Sequence, residues 1–427
     1  MGEKTVVEVA EALDSGIEIK DISWISGTAY RRMISTDQLQ WAFPGQAAAV
    51  LPSWEVILNS KRAYADSFQI QYRNNDSFHG KILVEPYGDN MAVVVNPPMP
   101  PLEALDLDDI YQLPYEGNWH PMYEEAGGVP AIEEVKFSIV ANRGCFGGCA
   151  FCALTYHQGR EVRGRSKESI LKEAEALTKR PDFKGYIHDI GGPTANFRGP
   201  ACDKQLKFGV CERKECLHPQ PCGQLKVDHK EYLDILRSVR RLPGVKKVFI
   251  RSGIRYDYVM ADQSGEFIEE ICKYHISGTL KVAPEHISPR VLARMRKPPK
   301  EIFEAFSKKY KETNERLGKE QYLIPYLISS HPGATLEDAV ELAVYLKKSG
   351  FVPDQVQDFY PTPGTLSTCM YYTGMDPLTG EKVYVARDIK EKKLQRALLH
   401  FHKKENRSLV REALKRVGRQ DLIDVLK

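Results

Sequence analysis

From residue 135 onward the sequence alternates short apolar runs with helical periodicity, and no other feature narrows the fold as far. Apolar runs of strand length lie at 137–140, 186–190, 248–250, 280–282, 322–328 and 356–359. Between them, apolar residues recur at helical spacing over 167–178, 232–239, 266–274, 301–315 and 336–348. Six βα units in a row predict a parallel sheet with right-handed crossovers. Six units rather than eight predict an α/β fold built as a partial (βα)6 TIM-type barrel.

Chemistry in such a barrel collects where the strands end. The special motifs of this chain fall there one after another. A cysteine triad follows the first strand, and Gly191-Gly192-Pro193-Thr194 follows the second. Arg251-Ser252 closes the third and Pro284-Glu285-His286 the fourth. His331-Pro332-Gly333 follows the fifth, and Pro361-Thr362-Pro363-Gly364-Thr365 the sixth. Random turn chemistry would scatter over both ends of the barrel.

The triad is Cys145-x3-Cys149-x2-Cys152, with glycines at 144, 147 and 148. Three thiolates on one loop suit an Fe–S cluster, zinc or Cu(I). A closed structural site takes four ligands, whereas three leave one iron of a [4Fe–4S] cluster open. Taken alone, Cys149-x-x-Cys152 also suits a redox dithiol or half of a zinc site. With Phe151 just before its last cysteine, the triad resembles the signature of radical S-adenosylmethionine (SAM) enzymes. That resemblance implies an oxygen-sensitive [4Fe–4S] cluster on Cys145, Cys149 and Cys152. SAM would bind there and be cleaved reductively to methionine and a 5′-deoxyadenosyl radical acting on an unknown substrate.

The resemblance also implies SAM contacts. Gly191 and Gly192 would expose backbone groups to the SAM amine, although Pro193 stands where the family commonly has Glu; the alternative is an ordinary turn. Arg251 and Ser252 offer a guanidinium for a carboxylate and a hydroxyl for a ribose. Glu285 would accept from amine or ribose, against a surface ion pair as the plainer reading. Phe151 would face the adenine, against a role as a core aromatic. His157-Gln158-Gly159-Arg160 would reach substrate or SAM, against a satisfied loop. No catalytic residue is assigned beyond these.

A second constellation is Cys202, Cys211, Cys216 and Cys222, within an insertion at 195–225 that is too polar for a core of its own. Loops of that length want a staple or a function. Four thiolates suit a tetrahedral zinc site or an auxiliary Fe–S cluster, and the spacing does not choose. Cys272 reads as core. Cys369 faces either the site, as a hydrogen-atom donor, or the interior.

The rest of the chain frames this centre. Residues 1–100 read as an accessory region: a helix near 8–15, a longer one at 54–72, and a hairpin of 81–84 with 91–95 around Tyr87-Gly88-Asp89-Asn90. Its beginning resembles the end of a Rossmann-like domain entered part-way, which implies a truncated start; the Asp-x-His-x-x-Gly motif of cobalamin binding is missing. Residues 101–130 read as a Pro- and Gly-punctuated linker, 131–369 as the barrel, and 370–427 as a helical extension with Leu398, Leu399, Leu409, Leu414, Leu422 and Val425 facing inward.

Lys+Arg 60 against Asp+Glu 57 leaves a net charge of +3, no argument for a polyanion partner. The basic stretches 290–300 and 390–419 read as solvated helix faces, with RNA contact as the lesser alternative. Nine cysteines without a signal peptide or a 20-residue apolar run indicate a soluble, cytoplasmic protein with no membrane partner. Leu113-Pro114-Tyr115, Gly127-Gly128-Val129-Pro130-Ala131, the triad, His188-Asp189-Ile190-Gly191-Gly192-Pro193-Thr194-Ala195-Asn196 and the four-cysteine loop together resemble the YgiQ-type radical SAM proteins. The expected partner is then an electron donor such as flavodoxin or ferredoxin. The stretches 280–298 and 331–335 resemble methylthiotransferases, so RNA or protein modification is one alternative. A non-catalytic Fe–S or zinc metalloprotein is the other.

Overall fold

The computed structural model describes residues 2–212, 214–353 and 356–426, with the side chains of Gln40 and Trp41 excepted. All six expected strands are present. Ser138–Val140 pairs in parallel with Asp189–Gly191, and Tyr186–Ile187 pairs in parallel with Lys247–Val248. The second half is a three-stranded parallel sheet in the order Thr279–Glu285, Tyr322–Ser329, Gln357–Asp358. Neighbours in the sheet are neighbours in sequence, as consecutive βα units require. Among the described residues no ladder joins Lys247–Val248 to Thr279–Glu285, or Gln357–Asp358 back to Ser138–Val140. The barrel is therefore partial and open.

Alternation along the strands decides which face is packed. Ile139, Ile187, Val248, Leu280 and Val282 point toward the helices and join Ile170, Tyr232, Leu236, Phe267, Phe303 and Phe306 in the main core. Burying each large apolar side chain contributes about 1.5–3 kcal/mol. The alternate residues Val140, Tyr186 and Tyr326 stay exposed on the opposite, inner face. Helix boundaries follow local chemistry. Ser166 accepts from Ser169 N at 3.0 Å to start Lys167–Thr178. Thr335 and Asp338 form a capping box on Leu336–Ser349, which Gly350 ends in the left-handed region.

Three expectations need correction. The single helix at 54–72 is two, Trp54–Asn59 and Lys61–Arg73, because Ser60 is extended and its hydroxyl caps Ala63 N at 3.2 Å. The stretch read as a linker contains the helix Ala104–Tyr111, begun by a capping box of Glu103 and Asp106. The N-terminal region is not a parallel Rossmann layer but a four-stranded sheet. Ala29–Met33, Met91–Val95 and Ile82–Tyr87 pair antiparallel, and only Ala48–Val50 pairs in parallel, with Ile82–Tyr87.

Both flanking regions pack on the barrel. Phe68 and Tyr72 of Lys61–Arg73 lie against Ala150, Leu366 and Met370. In the C-terminal region Leu394, Leu398, Leu399, Val410, Leu414 and Leu422 cover Leu336–Ser349, while Leu409 is partly buried and Val425 exposed. Among the described residues no helix is long and apolar enough to cross a membrane.

Candidate active site at the barrel rim

The end of the first strand is pinned before the triad begins. Ala141 O accepts from Arg165 N at 2.9 Å and from the buried Arg198 guanidinium, which also reaches Arg165 O at 2.6 Å. Asn142–Arg143 then forms a short antiparallel ribbon with Arg163–Gly164. Gly144 sits at φ 81°, where a side chain would collide with Glu161 O, so the chain turns there only with glycine. Gln158 Oε1 accepts from Gly144 N at 3.1 Å, and Gly159 O accepts from Cys145 N at 3.1 Å. The His157–Arg160 segment thus braces the triad loop, with His157 itself exposed.

The loop is tied to every other part of the rim. Cys145 Sγ lies 3.4 Å from Thr194 Oγ1, and Ala195 N donates to Gly253 O at 3.0 Å. Ala150 N donates to Met295 O at 2.9 Å, and its own carbonyl accepts from Ser367 N at 2.9 Å. The ring of Phe151 meets His331 edge-on at 6.0 Å and packs with Val291, Met295 and Phe359. Phe151 is thus part of a small apolar cluster beneath the rim.

Behind the triad stands a buried ion pair absent from the sequence-based candidates. Arg255 donates to Asp257 at 2.8 and 2.6 Å, to Cys149 Sγ at 3.1 Å and to Gly147 O at 3.4 Å. Burial works against the charge on Arg255, but Asp257 and the thiols of Cys149 and Cys145 outweigh it and hold the guanidinium protonated. Asp257 is kept ionised in turn, burial being overcome by Arg255. Asn196 fixes the segment by accepting from Arg255 N at 2.9 Å.

The thiols are free. Burial pushes Cys145 up, opposed by Thr194 and Gly147 N, and pushes Cys152 up to about 11. Each also feels the charge of Cys149, so the three sulfurs act on one another. A [4Fe–4S] group fits this donor set. Gly147 N approaches Cys145 Sγ at 3.4 Å, Arg255 supplies a positive charge to the thiolates, and a side chain at Gly147 would crowd Cys145 Sγ and the Arg255 guanidinium.

The expected SAM contacts are placed unevenly. Gly191 and Gly192 end the second strand, but Gly191 O already accepts from Ala141 N at 2.6 Å. Ser252 Oγ donates to Asp189, whose other oxygen accepts from Arg251 N at 2.8 Å and Ser252 N at 3.1 Å. Arg251 is half exposed and pairs with Glu134 at 3.6 Å. Glu285 is buried at φ 67°, and burial raises it to about 7 against the pull of Lys297 and Arg255. Strained backbone of this kind clusters at functional sites, and Ser330 at φ 58° repeats it one strand on. His286 and His331 are pushed down by burial to about 4 and about 3, so both are neutral. Cys272 lies in the main core, and Cys369 is buried in Leu366–Thr373.

Three family descriptions match in succession: Radical SAM N-terminal over residues 1–138, Radical SAM superfamily over 139–346, and Domain of unknown function (DUF3362) over 354–427. A UPF0313 protein of Clostridium botulinum (strain Okra / Type B1) is 54% identical over 423 residues, covering 99% of this chain and 64% of that protein. The chain belongs to the UPF0313 family, the YgiQ-type branch of the radical SAM superfamily. A UPF0313 protein of Clostridium perfringens (strain ATCC 13124) is also 54% identical, over 99% of this chain and 63% of its own length. The chain thus spans a little under two thirds of the curated relatives it matches.

Among solved structures, the radical SAM methyltransferase TsrM from Kitasatospora setae, with cobalamin and a [4Fe–4S] cluster bound, aligns at TM-score 0.39 and 14% identity. That alignment covers 67% of this chain and 47% of the other. Methylornithine synthase (PylB) aligns at TM-score 0.31 and 14% identity, over 71% and 74%.

Proposed function

We propose that this chain is the catalytic part of a radical SAM enzyme: Cys145, Cys149 and Cys152 hold a [4Fe–4S] cluster, and SAM is cleaved at the rim. The observation that carries the reading is the triad held on one braced loop with the Arg255–Asp257 pair behind it. Bound there, the cluster supplies the electron that splits SAM into methionine and a 5′-deoxyadenosyl radical.

The protein's own residues position and shield that chemistry. Arg255 neutralises thiolate charge from the buried side. Glu285, raised to about 7, would pass its proton to solvent when the cationic SAM binds beside it, and would then accept a hydrogen bond from the amine or ribose. Asp189 holds the backbone of Arg251 and Ser252, and the Arg251 guanidinium would have to exchange Glu134 for a SAM carboxylate to serve as its clamp. Phe151, His331 and Phe359 pack edge-to-face beneath the rim and would keep water from the floor of the site. The exposed inner strand face, with Tyr186 and Tyr326, is where a substrate would lie.

The test is SAM cleavage by anaerobically reconstituted protein under dithionite, with Cys149→Ala beside it. The reading expects 5′-deoxyadenosine from the wild type and none from the variant. Equal product from both, or none from a wild type that binds its cluster and SAM, would overturn it.

A further inference from the structure

The four-cysteine loop forms a second centre that the triad chemistry does not use. Its ends are tied together, since Lys226 N donates to Ala201 O at 2.8 Å. Cys202 precedes the helix Asp203–Phe208, whose Gln205 reaches Cys216 Sγ at 3.9 Å and returns to Ala201 N at 2.7 Å. Cys222 N donates to Cys216 O at 2.9 Å, and the thiols of Cys202 and Cys211 lie within electrostatic reach of Cys216. Four free, partly buried thiols are thereby gathered inside one closed loop. The loop has little core of its own. Leu217 is its deepest apolar residue, and it is borrowed into a cluster with Cys145, Phe146, Phe197 and Tyr258.

The loop is also docked on the triad. Arg160 donates to Cys211 O at 3.3 Å and Lys214 O at 3.1 Å, and it pairs with Glu215 at 3.3 Å. Glu215, next to Cys216, is gripped by Arg296 and packs over Gly148, next to Cys149. Two partly buried guanidiniums hold one thiol-rich loop against another. An unligated polar loop gives no reason for that.

We infer that Cys202, Cys211, Cys216 and Cys222 ligate a second iron–sulfur cluster, seated beside the triad. Placement favours a cluster over zinc. Cys216 packs on the apolar cluster that holds Leu217 and Cys145, so the loop's thiols sit against a triad that itself fits an iron–sulfur group. An electron-transfer centre has a partner there, and a structural zinc has none. With four protein ligands this cluster leaves no iron open, so its chemistry is one-electron transfer.

The site stands independently of whether the triad cleaves SAM. The test counts iron, sulfide and zinc after anaerobic reconstitution of the full chain, the Cys145→Ala/Cys149→Ala/Cys152→Ala variant and the Cys202→Ser/Cys216→Ser variant. We expect each variant to keep roughly half of the wild-type iron and sulfide, as for two clusters of similar size. The reduced wild type should show two paramagnetic signals. The one altered by SAM should vanish with the triad, and the other with the loop.

A triad variant without iron, or zinc in place of iron in that variant, would overturn the proposal. If the loop variant loses all iron, Cys222→Ser alone decides. Retention of half the iron supports the second cluster, and full retention refutes it. Iron that persists in the triad variant while the wild type fails to cleave SAM would sink the proposed function and leave this site standing.

Discussion

Glu285→Gln removes a rim carboxyl whose ionisation the fold resists, and its effect on stability has a calculable sign and size. Glu285 is 8% exposed and sits beyond a bulge, where Val282 pairs with Pro325 but Glu285 with Leu327. Burial lifts it from 4.5 to about 7, with Lys297 and Arg255 pulling the other way. A raised carboxyl binds its proton more tightly in the folded chain than in the unfolded one. Between those two values the native state therefore holds a proton that the unfolded state has lost, and stability falls as pH rises. At about 1.4 kcal/mol per pH unit, the loss between pH 5 and pH 8 is roughly 2–3 kcal/mol, and above about 8 it levels off. Urea denaturation of wild type and Glu285→Gln at both values isolates the term, because every other group cancels in the difference. The glutamine chain should be the relatively more stable at pH 8. Parallel profiles would show that Glu285 titrates as an ordinary carboxyl and would refute the burial argument. The proposed SAM contact adds a second signature: below about pH 7, SAM binding should release a proton in the wild type and none in the variant.

Asp257→Asn leaves the Arg255 guanidinium buried without its carboxylate, which costs about 3–5 kcal/mol; an unchanged melting temperature would contradict the pair's placement. Because Asp257 is depressed below its ordinary 3.8, the pair's contribution is complete above that value and disappears as pH falls through the folded one. In the reconstituted protein, Arg255→Gln should retain iron while shifting the midpoint potential of the triad cluster downward, since a thiolate loses a positive neighbour. Gly144→Ala places a side chain at φ 81° and into Glu161 O, for at least about 1–2 kcal/mol of backbone strain alone, read as a lower urea midpoint with loss of bound iron. Glu215→Ala strips the partly buried Arg160 and Arg296 of their shared carboxylate, so limited proteolysis should cut faster within 209–225.

The fold was legible wherever period and length agreed. The six strands are short apolar runs between long amphipathic helices, and 167–178 was placed to the residue. Legibility failed where one side chain overrode the pattern. Ser60 lies inside a plausible helix, yet its hydroxyl serves better as a cap, and the sequence Asn59-Ser60 before Lys61–Arg73 was the available signal. Pro97 to Pro101 suggested a linker and hid the capping box of Glu103 and Asp106 just beyond.

The site divides along the same line. Thiolate chemistry announces itself, because three cysteines in one short loop have few other uses. Arg255 did not announce itself. A single arginine in a loop has many partners open to it, and only the fold shows that it reaches Cys149 from the buried side. Asp189 was hidden for the converse reason: it sits inside an apolar strand whose neighbours looked more informative, yet it fixes both Arg251 and Ser252. Arg255 carries a charge that must be paired once buried, and the half-buried Asp189 gathers two backbone N–H groups; both pairings are properties of three-dimensional neighbours. Candidate ligands can thus be proposed from residue type, whereas the charges that lie beside them can be read only after folding. This is why Arg255→Gln, which leaves all three thiols in place, discriminates between a scaffold that merely holds iron and one built to tune it.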